Sequence, residues 1–304
     1  MTKNGISDFF RIHQSWREAS FEPKPCSGLI FIGESAMNPS GIITLITDFG
    51  LSDPYVAMMK GVILTISPDT RLVDISHKIK AGSISQAAGL LQNTFPFFPK
   101  GTVHVAVVDP GVGSDRRPIA IESKAHFFVG PDNGIFWPLV EDDHGAKIVQ
   151  LAENKYFRPS ESHTFHGRDI FAPVAAHLSK GADLREMGPA IDDPVPLAIQ
   201  KPYPKKGILY GQICRVDHFG NLITNIHQAD LERFLGSAQP IIKVGNLVIR
   251  EISRIYADCD EGKPLALINS SNMLEIAVNL GQAAEYLGKV TGEIPGTIVK
   301  VEKT

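Results

Sequence analysis

The sequence predicts an α/β protein, with a layered α/β domain over residues 41–190 followed by a smaller, mostly β, barrel-like domain over 207–304. Three observations predict it. Apolar strand runs alternate with helical patterns in the first half. Short strand signals with few helices fill the second half. Between Ile191 and Gly207 the stretch DDPVPLAIQKPYPKKG carries four prolines, which disfavour helix and sheet continuation and place a linker at 191–206. A length of 304 residues suits about two domains.

The first domain opens with the apolar strand IITLITDF and a helix from about Tyr55 to Ile66. The strand RLVDIS and a helix from about Ser83 to Thr94 follow. GTVHVAVVD and PIAIES continue as strands, FFVGPDNG closes another at a turn, and DIFAPVAAHLSKG reads as a helix ended by Gly181. Beyond the linker, ILYGQICRVD, GNLITNI, PIIKVGNLVI, PLALINS and MLEIAVN are strand candidates, with one helix near Gln228 to Leu235 and a Gly-punctuated tail. Residues 1–40 show neither a signal-peptide pattern nor an amphipathic repeat, and are expected to form a loosely held extension that function does not need. Met37, just before the first strand, is where an alternative start would be expected.

Composition narrows the function. Hydrophobic residues at 43% and charged residues at 21% match a folded chain. A net charge of -3 offers no basic field for nucleic acid or an anionic membrane, so a small-molecule partner is expected. No apolar run reaches the roughly 18 residues of a membrane span. Cys26, Cys214 and Cys259 are widely separated, with no CxxC pair, which argues for a reducing, cytoplasmic setting.

Five groups carry candidate chemistry. In ITDFGLSDPY, Asp48 ends a strand where ligands of α/β sheets gather and can accept from ribose hydroxyls; Asp48 and Asp53 equally suit capping of the next helix. In VAVVDPGVGSDRRP, Asp109 and Arg116 stand seven residues apart across a tight turn, as a pair able to orient a water or as a structural salt bridge. The glycine spacing is not that of a phosphate loop. In HTFHGRDIFAP, His166 is the candidate acid or base; His163 and His166 alone make a weak metal signal, so no metal is expected, and Arg168 with Asp169 pair or cap. VDHFGNLITNI offers Phe219 for stacking, Asn221 for an adenine edge and Asp217 for an ammonium, although a plain turn uses the same residue types. Tyr256 and Ser270, in IYADCDEG and ALINSSN, add a second ring and a hydroxyl donor, with Ser271 beside it.

Together TDFG at 47–50, VDPGVGS at 108–114, GPDNG at 130–134, TFHGRDIFAP at 164–173, DHFGN at 217–221 and INSSN at 268–272 resemble the S-adenosyl-L-methionine hydroxide adenosyltransferases, relatives of the adenosyl fluorinases and chlorinases. The resemblance runs from about Ile42 to Val301. It implies hydrolysis of S-adenosyl-L-methionine to adenosine and L-methionine without a cofactor, in a homotrimer whose sites lie between one subunit's N-terminal domain and a neighbour's C-terminal domain. Asp109, Arg116 and His166 fall on the water-handling triad and Asp48 on the ribose carboxylate. Asp53, Asp217 and Ser270 fall on contacts to the methionine moiety, and Phe219, Asn221 and Tyr256 surround the adenine. The halogenating relatives carry tyrosine at the position of Asp109, serine at that of Gly167, phenylalanine at that of Tyr256 and arginine at that of Ser271.

The implied chemistry suits these residues. A sulfonium leaves as a neutral thioether, so the demand falls on the nucleophile: water must be aligned opposite sulfur and made hydroxide-like. Arg116 supplies electrostatics, since a guanidinium keeps its proton and is a poor base, and His166 and Asp109 both remain candidates for the proton. A halide nucleophile is disfavoured because a carboxylate repels it. A non-catalytic sensor of adenosine or S-adenosyl-L-methionine would not need the triad.

Overall fold

In the computed structural model the chain is described over residues 37–159, 163–291 and 294–304, without the side chains of 288–291. Residues 1–36 of the expected extension lie outside the described residues.

The first half builds a six-stranded sheet from β1 (Ile42–Thr47), β2 (Arg71–Ser76), β3 (Val103–Val107), β4 (Pro118–Ser123), β5 (His126–Pro131) and β6 (Lys147–Gln150). Their order is β2-β1-β3-β5-β4-β6. β1, β2, β3 and β5 run parallel, and β4 is antiparallel to both its neighbours. All five residues of β3 are buried, as expected of a central strand covered on both faces. Val103, Val105 and Val107 join the core beneath α1 (Tyr55–Ile66) and α4 (Ala172–Ser179), with Met59, Ile63 and Val174. Ala106 and Val108 face the other way, with Ala87, Ala88 and Leu91 of α2 (Ile84–Thr94) and Leu139 of α3 (Trp137–Val140). The period of two along the strand thus divides one apolar run between two helical layers.

The second half forms an antiparallel, nearly closed barrel-like sheet. It comprises β7 (Tyr203–Lys205), β8 (Ile208–Val216), β9 (Leu222–His227), β10 (Pro240–Val244), β11 (Leu247–Ile249), β12 (Pro264–Ile268), β13 (Met273–Val278) and β14 (Ile298–Lys303), with α5 (Gln228–Leu235) and α6 (Ala283–Thr291). Its core gathers Ile213, Leu222, Ile242, Ile276, Leu287 and Val299. No helix among the described residues is long and apolar enough to cross a membrane.

Several elements depart from expectation. β7 lies within the proline-rich stretch: with Pro202 before it and Pro204 inside it, on an exposed edge segment, Tyr203 and Lys205 still pair with Tyr210 and Ile208 of β8. PIIKVGNLVI is a hairpin, β10 and β11, turning at Gly245, whose φ is 56°. The tail holds α6 and β14, and β14 alternates Val299 and Val301 inward with Ile298 and Lys300 outward. The helix read from DIFAPVAAHLSKG begins with a π-helical turn at Gly167–Phe171 before α4. Such turns cluster at functional positions.

Candidate active site

The parallel strands point their carboxyl ends at one edge of the sheet, and Thr47 of β1 pairs with Val107 of β3. Asp48 and Asp109 therefore leave neighbouring strands on the edge where α/β sheets place ligands. After Asp109 the chain turns tightly, with the Val112 N–H donating to the Asp109 carbonyl and the Ser114 hydroxyl to the Gly111 carbonyl, and returns at Arg116. The GPDNG segment braces this turn: Asn133 Nδ2 donates to the Val108 carbonyl, and buried Asp132 holds Arg117 at 2.6 Å. Arg117 also grips Asp193, which pins the start of the proline-rich stretch to the sheet edge.

Arg116 forms a forked pair with Asp109, Nε to Oδ1 at 3.0 Å and Nη2 to Oδ2 at 2.5 Å, with both side chains nearly buried. Nη2 also donates to His166 Nδ1 at 2.6 Å. A guanidinium has only donors, so Nδ1 is the acceptor and a neutral imidazole carries its proton on Nε2. Burial holds the His166 pKa below its usual value, Arg116 pushes it further down, and Asp109 only partly opposes them. The ring is neutral near pH 7. Of the five N–H donors of Arg116, three are taken by Asp109 and His166. The other two sit on Nη1, which is buried and has no hydrogen-bond partner among the described residues. The guanidinium also lies over the Phe171 ring, 5.4 Å from its centroid, so the π-helical turn that follows His166 supports Arg116 as well.

Asp48 Oδ2 accepts from the Gly82 N–H at 2.8 Å. Asp53 is exposed, one residue before Pro54, and α1 has no side-chain cap, so neither aspartate plays the capping role open to it. Arg168 and Asp169 pair, with Arg158 joining Asp169 at 3.3 Å.

In the barrel half, Asp217 Oδ1 accepts the N–H groups of Phe219 and Asn221, both at 2.9 Å. This Asx-type turn presents Phe219, 72% exposed, and buried Asn221. Two adjacent pockets open here. One of about 630 Å³ is lined by Phe219, Asn221, Tyr256, Leu280, Gln282 and Glu285 among others, and one of about 430 Å³ includes Asp217, Phe219, Tyr256, Ser270 and Ser271. Both lie within the range of small-molecule sites. Neither is lined by Asp109, Arg116 or His166. The structure thus gathers the predicted residues into two groups, a triad at the sheet edge and a double pocket on the barrel.

Models of the N-terminal and C-terminal domains of the SAM hydroxide adenosyltransferases match residues 43–188 and 211–294. The chain belongs to this family. It is 36% identical over 268 residues to the (R)-S-adenosyl-L-methionine hydrolase of Salinispora tropica, covering 84% of this chain and 97% of that protein. A fluorinase from an Actinoplanes species is 28% identical, over 81% of this chain and 94% of that protein. A crystal structure of an uncharacterized conserved protein from Thermotoga maritima superposes with a TM-score of 0.78 at 33% identity, covering 86% of this chain and 99% of that one.

In this hydroxide adenosyltransferase, sequence reasoning missed Glu275. It is buried on β13, accepting from the Tyr256 hydroxyl at 2.8 Å and from Asn269 Nδ2 at 3.1 Å. Burial and Glu275 push the Tyr256 hydroxyl up to about 12, so it stays a protonated donor. A carboxylate inside the apolar strand MLEIAV was the available signal. Gln282 and Glu285 were missed with α6, which carries or adjoins them.

Proposed function

We propose that the protein hydrolyses S-adenosyl-L-methionine at ribose C5′, giving adenosine and L-methionine, with water as nucleophile. The observation that carries this reading is Arg116 Nη1, a buried cationic donor with no described partner, on the guanidinium that also binds Asp109 and His166. An oxygen acquiring negative charge satisfies such a donor. The water oxygen bonds to C5′ as the C5′–S bond breaks, the electron pair stays on sulfur, and the water proton leaves. Because His166 Nδ1 is occupied and Nε2 is protonated, Asp109 is the proton acceptor: each of its oxygens keeps a lone pair beyond the one given to Arg116. His166 fixes the guanidinium plane and offers Nε2–H as a further donor to the oxygen.

Asp48 suits the ribose hydroxyls, Phe219, Tyr256 and Asn221 the adenine, and Asp53, Asp217 and Ser270 the methionine portion. No bound cofactor is assigned, because the sulfonium substrate brings its own leaving group, and a cytoplasmic location goes with that substrate. Halide is disfavoured as nucleophile. Asp109 repels it, and a Cβ at Gly167 would stand 3.1 Å from Phe165 Cε2 and 3.2 Å from Met59 Sδ, leaving little room for a halide-binding serine. Incubation with S-adenosyl-L-methionine should release adenosine and methionine in equal amounts, with no 5′-halogenated nucleoside at high fluoride or chloride. A halogenated product, or no turnover, contradicts the reading.

The two separate groups of residues support a homotrimer in which the triad of one copy faces the barrel pockets of the next. Large apolar side chains stand exposed in both groups, Leu51 at 66% near the sheet edge and Leu280 at 82% on the pocket. Light scattering on the purified protein should give three times the chain mass of 33.1 kDa. A fully active monomer would refute the shared site.

A further inference from the structure

The smaller barrel pocket contains two arginines that neither the triad nor the adenine contacts use. Arg215, half-buried on β8, and Arg254, on the loop before Tyr256, both line it, and neither side chain has an ion-pair or hydrogen-bond partner among the described residues. They share it with Asp217 and with the buried Glu275, so the absence of pairing is not for want of carboxylates nearby. Glu275 is already committed to Tyr256 and Asn269, and Asp217 to its turn.

The backbone presents both cations deliberately. Pairing between β8 and β9 shifts register between Ile213 and Arg215, an irregularity of the kind that re-aims a side chain beside a functional site. Arg254 and Ile255 both donate their N–H groups to Asp258 Oδ2, at 2.8 and 3.1 Å. That ties Arg254 to the single short turn that carries Tyr256. The rings of Phe219 and Tyr256 line both pockets, so a ligand whose base lies in the larger one extends its other end past them into the smaller.

We propose that Arg215 and Arg254 bind the α-carboxylate of the sulfonium substrate, with the Ser270 and Ser271 hydroxyls beside them and Asp217 Oδ2 facing the α-ammonium. This rests on the hydrolase reading above and makes the two arginines the determinants that select an amino-acid tail over an uncharged or cationic one. Guanidinium groups meet carboxylates through paired, charge-assisted hydrogen bonds, which lysine reproduces only as a point charge.

The test compares S-adenosyl-L-methionine with its decarboxylated analogue, which keeps the adenosine, sulfonium and amine. The unaltered protein should prefer the full substrate. Arg254→Ala and Arg215→Met should each raise KM for S-adenosyl-L-methionine about 10- to 100-fold, with kcat lowered no more than about 3-fold, and leave the KM of the analogue within about 3-fold. Arg254→Lys should recover part of the loss. Equal losses on both substrates, or unchanged discrimination, would overturn this assignment while leaving hydrolysis intact. If the unaltered protein turns over neither compound, the hydrolase reading falls and this one with it.

Discussion

Asp109→Asn should lower kcat for S-adenosyl-L-methionine hydrolysis about 10²- to 10⁴-fold while KM changes little, the loss typical of removing a positioned base. The substitution keeps the side chain's size and one acceptor oxygen for Arg116, so it separates proton acceptance from charge pairing. Its substrate contacts are expected on other residues, which is why the effect falls on kcat. Loss of His166's neutral form at low pH would slow the reaction in either role, so the Asp109→Asn rate separates the two acceptors while His166 sets the pH dependence. Its pKa lies below the usual 6.5 because burial and Arg116 both disfavour the imidazolium. The ring is therefore neutral above that lowered value and protonated only below it. In the unaltered protein kcat/KM should be level from pH 6.5 upward on this account and fall only at lower pH, where a charged ring would lose the Nδ1 acceptor that orients Arg116. Near-normal kcat in Asp109→Asn would return the base role to His166.

Arg116→Met should damage both stability and rate. The Asp109 and Arg116 side chains are only 5% and 9% exposed, and removing one partner leaves an uncompensated charge in the interior. Breaking such a pair costs about 3–5 kcal/mol, and losing an oxyanion-type donor costs about 10²- to 10³-fold in kcat. Arg116→Lys keeps a positive charge and should regain part of the stability. It cannot bind Asp109 through a fork while also holding His166 Nδ1, so its kcat should stay well below that of the unaltered protein. Urea unfolding and steady-state kinetics on the two variants check both halves. Full stability in Arg116→Met would mean that Asp109 is not held as an ion.

The elements legible in the sequence were those with strong local signals. The apolar run IITLITDF and the repeating apolar positions of Tyr55–Ile66 carry their periods within a single window, and β1 and α1 form there. β6 is four residues long and the helix Trp137–Val140 is a single turn, so each is too short for its pattern to repeat often enough to be read. The tail shows a different failure. β14 alternates apolar and polar residues clearly enough, but the glycines around it draw attention to turns rather than to the strand. Asp109 and Arg116 were legible because one tight turn joins them. His166 lies 50 residues further on, and no spacing rule links it to Arg116; folding across the sheet edge does. Arg215, Arg254 and Glu275 stayed hidden for the same reason. Each sits in a different short segment, and only closure of the barrel brings them around one pocket.

The claim that water attacks C5′ is tested most directly by isotope. Hydrolysis in water enriched in oxygen-18 should place one heavy oxygen in adenosine, at the 5′-hydroxyl, and none in methionine. Adenosine formed without label at that position would contradict the account.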